Sequence, residues 1–72
     1  MFEKNIDRAY MQAINSGSLT ERLNALETLA NLGNRFPVVR WKVSEKLEFI
    51  ARTHHCYYTR TRARQIIENL NE

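Results

Sequence analysis

Residues 51–64 read ARTHHCYYTRTRAR and pack four arginines, two histidines, two tyrosines and a cysteine into fourteen positions. Such a set invites metal, thiol and anion chemistry, and spacing separates them. His54, His55 and Cys56 are zinc ligands by type, but a structural zinc site takes four ligands in a tetrahedron. Three consecutive side chains diverge on a helix and alternate on a strand, so they do not share one centre. The expectation is no metal and no cofactor. A thiol beside histidines also has the composition of a nucleophile, yet that chemistry needs a base and an orienting group paired through space. No glycine-rich phosphate loop, oxyanion donor or carboxylate pair accompanies it. The reading is therefore of a protein that is not an enzyme. Cys56 is expected to be buried and inert at a helix corner, with His54 and His55 answering the carbonyl end of the preceding helix.

Anion binding is the chemistry these residues fit. Arginine makes bidentate contacts to phosphate, and tyrosine faces stack on unpaired bases. Arg60 and Arg64 are four apart and share a helix face; Arg62 lies about 200° from each and must act from the other flank. The candidate nucleic-acid-binding set is Arg52, His54, His55, Tyr57, Tyr58, Arg60, Arg62 and Arg64. RNA or a single strand is favoured over sequence-read duplex DNA, because exposed aromatics suit unstacked bases. The opposing structural reading has Tyr57 and Tyr58 completing the core and the arginines pairing with Glu45, Glu48 or Glu68. Charge is distributed in agreement with an anionic partner. Residues 35–64 hold eight basic against two acidic side chains, whereas the whole chain nets only +3.

The elements that position these residues are helices. With 72 residues, two glycines, one proline and 43% apolar residues, the chain has the composition of one folded all-α domain spanning 1–72. Phe2, Ile6, Ala9, Tyr10, Ala13 and Ile14 recur at helical steps and predict a helix over 3–15. Ser16-Gly17-Ser18 breaks it, with Gly17 expected in a left-handed cap, and Ser18-x-x-Glu21 reads as a capping box opening the next helix. Leu19, Leu23, Ala25, Leu26, Leu29, Ala30 and Leu32 form its broad apolar stripe, and Gly33-Asn34 is expected to end it. Pro37 opens a third helix that turns Val39, Val43, Leu47, Ile50 and Ala51 inward. Trp41 and Phe49 lie on its flanks, with burial expected. A fourth helix, from near Tyr58 to Asn71, buries Ala63, Ile66, Ile67 and Leu70, with Thr59 or Thr61 as its cap. Short connections make neighbours antiparallel, giving a compact four-helix array.

One pattern occurs three times: Arg22-x-x-Ala25-x-x-x-Leu29-x-x-Leu32-Gly33, then Arg40-x-x-Val43-x-x-x-Leu47-x-x-Ile50-Ala51, then Arg60-x-x-Ala63-x-x-x-Ile67-x-x-Leu70-Asn71. The segment Pro37-Val38-Val39-Arg40 with Leu47, Ile50 and Ala51 resembles the opening helix of a HEAT repeat, best over residues 37–51 and loosely over 22–71. It departs from that family at Lys46 and Val43, and its copies are closer together than full repeats of about 40 residues. The resemblance implies a stacked helical scaffold that binds protein or nucleic acid. It supports an alternative function: a protein-binding adaptor or small inhibitor, monomeric or homodimeric, anchored by Met11, Phe36, Trp41 and Phe49. A helix-turn-helix reading of Leu29–Gly33 is disfavoured, because Glu45 and Glu48 would face phosphates. A lone cysteine and the absence of an uninterrupted apolar run predict a cytoplasmic protein with no membrane partner.

Overall fold

The computed structural model describes residues 2–70 and is all-α. Among these residues there are four α-helices: α1 (Phe2–Asn15), α2 (Leu19–Arg35), α3 (Arg40–Thr53) and α4 (Tyr57–Leu70). A single 3₁₀ turn, Pro37–Val39, separates α2 from α3. The expected end of the fourth helix at Asn71 lies outside the described residues.

α1 forms because Ile6, Ala9 and Ala13 repeat at steps of three and four, and all three are buried. Ser18 caps α2 as its sequence promises, its Oγ accepting the Glu21 N–H at 3.3 Å. The box is only half closed. The Glu21 carboxylate accepts from the Ser16 hydroxyl at 2.7 Å, and the Ser18 N–H donates to Ser16 Oγ at 3.2 Å. Gly17 is not left-handed, since no described residue has positive φ.

α2 does not stop at Gly33-Asn34 but runs through to Arg35. Gly33 is buried for a different reason: a Cβ there would sit 3.2 Å from Leu70 Cδ2 and 3.3 Å from Val43 Cγ1. The missing side chain lets α3 and α4 close on α2. Pro37 opens the 3₁₀ turn and not α3 itself, with the Val39 N–H bonded to the Phe36 carbonyl. The His54 N–H ends α3 on the Ile50 carbonyl, and the Arg60 N–H on the Cys56 carbonyl begins α4, so neither Thr59 nor Thr61 is the cap.

The helices pack as two antiparallel hairpins, α1 with α2 and α3 with α4. α2 touches both helices of the second hairpin, while α1 meets α3 only lightly. The body measures 30 × 25 × 17 Å, two helix layers thick. Ile6, Leu26, Leu29, Val43, Leu47 and Ile50 are fully buried at the centre. Each side chain of this size contributes roughly 1.5–3 kcal/mol on burial. Trp41 and Phe49 are not in this core; they are 66% and 48% exposed. Trp41 lies on the side of α3 turned away from Val43, Leu47 and Ile50, and Phe49 lies on its flank, where its ring meets only the edge of Tyr10 in α1. Leu19, expected inward, is also exposed.

Candidate nucleic-acid interface

The two chain reversals at residues 16–18 and 54–56 meet at one end of the molecule. Arg22 joins them: it is buried, its Nε donating to Thr59 Oγ1 at 3.0 Å and its Nη1 to the Ser16 carbonyl at 2.7 Å. Arg60 does the same work in the second hairpin, donating to the His54 carbonyl at 2.7 Å. Arg40 donates to the Gly33 carbonyl at 3.1 Å. Each of the three arginines that begin the repeated pattern therefore reaches back to a carbonyl six or seven residues earlier. Those carbonyls lie in or beside the turns where helical bonding runs out and backbone acceptors lack a partner.

His54 is 7% exposed, so it does not belong to the solvent-facing set that the sequence suggested. Its ring stacks on His55 at 4.5 Å, and its Nδ1 accepts the Cys56 N–H at 3.0 Å. That bond leaves the proton on Nε2, which is the one buried side-chain polar atom without a hydrogen-bond partner among the described residues. Burial first, then the charge of His55, then that of Arg22, pushes the His54 pKa below 6.5; only the Ile14 carbonyl pulls upward.

Cys56 is half-exposed and not the buried, inert thiol expected. The Thr59 hydroxyl accepts from Arg22 and has its own proton left to offer. That hydroxyl and the Thr59 N–H favour the thiolate, bringing the pKa from 9.0 to about 7. A thiolate at a helix N-terminus is in a favourable field. Among the described residues no group of three or more His, Cys, Asp or Glu side chains is placed to hold a metal.

The remaining candidates divide cleanly. Arg60 is half-buried and committed to a backbone carbonyl, and Arg62 is paired with Glu27 across from α2. Among the described residues Arg64 pairs with no carboxylate within 4 Å; its Nη2 makes one marginal contact, 3.5 Å from the Ala51 carbonyl. Arg52, His55, Tyr57, Tyr58 and Arg64 are exposed. Tyr57 and Tyr58 are 64% and 66% exposed and meet edge to face at 5.6 Å. They do not complete the core.

The alternative anchors divide too. Met11 is exposed with Trp41 and Phe49, whereas Phe36 is half-buried, its ring 4.1 Å from that of Phe2. Phe49 also meets Tyr10 edge to face at 6.2 Å.

Sequence reasoning missed Arg22 and Thr59, which hold the two hairpins together. The signal was present for Arg22, which occupies the same position in the repeated pattern as Arg40 and Arg60. For Thr59 no signal existed, because a threonine in a first helical turn reads as surface. The chain matches no protein-family model, no curated protein and no solved structure. No helix among the described residues is long and apolar enough to cross a membrane.

Proposed function

We propose that this chain is a non-enzymatic nucleic-acid-binding protein that takes single strands, RNA foremost, on a face made by Arg52, His55, Tyr57, Tyr58 and Arg64. The observation that carries the reading is the exposure of two adjacent tyrosine rings that the fold does not use. Their rings meet edge to face and are otherwise mostly in solvent, which leaves ring surface on which a base can stack. Base–aromatic stacking of this kind is worth about 1–3 kcal/mol per base. Arg64 and Arg52 supply the charge beside them. Arg60, Arg62 and His54 leave the set, because their side chains serve the fold.

The test is binding of labelled oligouridylate at rising salt. Affinity should fall with salt as counterions are released. Replacing both tyrosines, Tyr57→Ala with Tyr58→Ala, should weaken binding by about tenfold or more at unchanged melting temperature, while the paired Phe replacements retain it. Equal affinity of the Ala variant and the parent would sink the reading.

A second reading is favoured by a separate observation, the exposure of Trp41 and Phe49 along one side of α3. It is a HEAT-like protein-binding module, supported by the stacking of two helical hairpins. Capture of one defined protein, indifferent to nuclease and lost on Trp41→Ala, would favour it over nucleic acid.

A further inference from the structure

Between α3 and α4, on the side away from α2, lies an open cleft of about 270 Å³ lined by Glu48, Ala51, Arg52, Arg64 and Ile67. Its floor is apolar and its rim carries one carboxylate and two guanidinium groups. Glu48 and Arg52 are four apart, in the order that favours an ion pair on a helix. Yet among the described residues the ion pairs are Lys42 with Glu3 and Arg62 with Glu27. The cleft thus presents an acceptor and two donor forks that do not satisfy one another.

We infer that this cleft is a guanine-binding site for a base within single-stranded nucleic acid, which rests on the reading above. Guanine offers two acceptors, O6 and N7, on one edge, which an arginine fork matches. Its adjoining Watson–Crick edge carries the donors N1–H and N2–H₂, which match a carboxylate. Glu48 and Arg52, one turn apart on the same helix face with Cβ atoms about 5–6 Å from each other, face these two neighbouring edges. Ile67 packs against the base plane, with the nearly buried Ala51 closing the floor behind it. The cleft falls just short of the roughly 300–1,000 Å³ of sites that enclose whole small-molecule ligands, a size suited to one base with its sugar outside. Arg64 is left for a phosphate. It is seven residues from Tyr57, about 20° away around α4 and about 10 Å along it, so a strand leaving the cleft runs past Arg64 toward the tyrosine ring. Adenine puts an amino donor where guanine has O6, against the arginine, and uracil lacks the amino group that Glu48 takes.

The experiment uses the full chain and a short fluorescent oligouridylate, unmodified or with one central guanine, inosine, adenine or cytosine. The guanine strand should bind about tenfold tighter than the adenine strand, with inosine, which lacks the amino group, in between. Glu48→Ala should abolish the guanine-over-inosine difference while tightening the unmodified strand, because a negative charge leaves the rim; the discrimination against adenine, which Arg52 makes at O6, remains. Glu48 is exposed, so the variant should melt as the parent does. Equal binding of all strands, a preference for cytosine, or a guanine-over-inosine preference that survives Glu48→Ala would each overturn the guanine site while nucleic-acid binding stands. Binding to none of the strands would overturn that broader reading, and the site with it.

Discussion

His54 shows how one ring can tie stability to pH. It is covered by α1 through the Ile14 carbonyl, α2 through Arg22 and α4 through Arg60, with His55 stacked on it from its own loop. A proton added to this ring meets three neighbouring basic groups and a buried setting. The folded pKa therefore lies below the unfolded 6.5, and the unfolded chain binds the proton first. Stability from this group is complete above the unfolded pKa and is lost as pH falls from there toward the folded value. The melting temperature should accordingly drop between about pH 7 and about pH 5, and His54→Gln should flatten that slope. Parallel slopes for the two proteins would show that other groups carry the effect. None of this was legible locally. The residues around His54 are polar or charged, so a sequence reading puts it in solvent, and only the meeting of two distant turns buries it.

At the scale of the element, the helices were largely legible and their ends less so. Steps of three and four between small and large apolar residues locate all four helices, because that period is set by backbone geometry alone. The ends depend on tertiary contacts. α2 continues through Gly33 because Leu70 and Val43 press against it there, and a glycine read in isolation looks like a stop. Arg40 at the start of α3 and Arg60 in the first turn of α4 are part of the same lesson: with Arg62 they make three of the eight basic residues of 35–64 that are spent on the protein's own carbonyls and on Glu27. Arg22→Met should destabilise the fold by about 2–3 kcal/mol, since it removes two hydrogen bonds from a charged donor and strands Thr59. Arg64→Ala should change stability by no more than about 0.5 kcal/mol. Urea unfolding of the two variants measures both, and a similar loss in each would contradict the division between structural and free arginines.

For the whole molecule, the apolar core was visible in the sequence, but the direction each aromatic faces was not. Trp41 and Phe49 were expected inward because large rings fill small cores. The space is instead closed by Val43, Leu47 and Ile50 with alanines at the helix contacts, which leaves Trp41 on the outer side of α3 and Phe49 on its flank against the edge of Tyr10. Trp41 should therefore emit as a solvated indole, be quenched by acrylamide, and shift little when the chain unfolds in urea. A blue-shifted emission that moves red on dilution would instead reveal two copies meeting on that face. The arrangement of hydrogen bonds also implies an order of events. The grips of Arg22 on Ser16, Arg40 on Gly33 and Arg60 on His54 span six or seven residues, so each can close as soon as its own corner exists. Loops of that length close within about 10–100 ns. The bond from Arg22 to Thr59 spans 37 residues and must wait for both hairpins. Until they stack, the Arg22 Nε and the Thr59 hydroxyl stay hydrated, so docking of the hairpins and expulsion of the last water from that joint are a single late step.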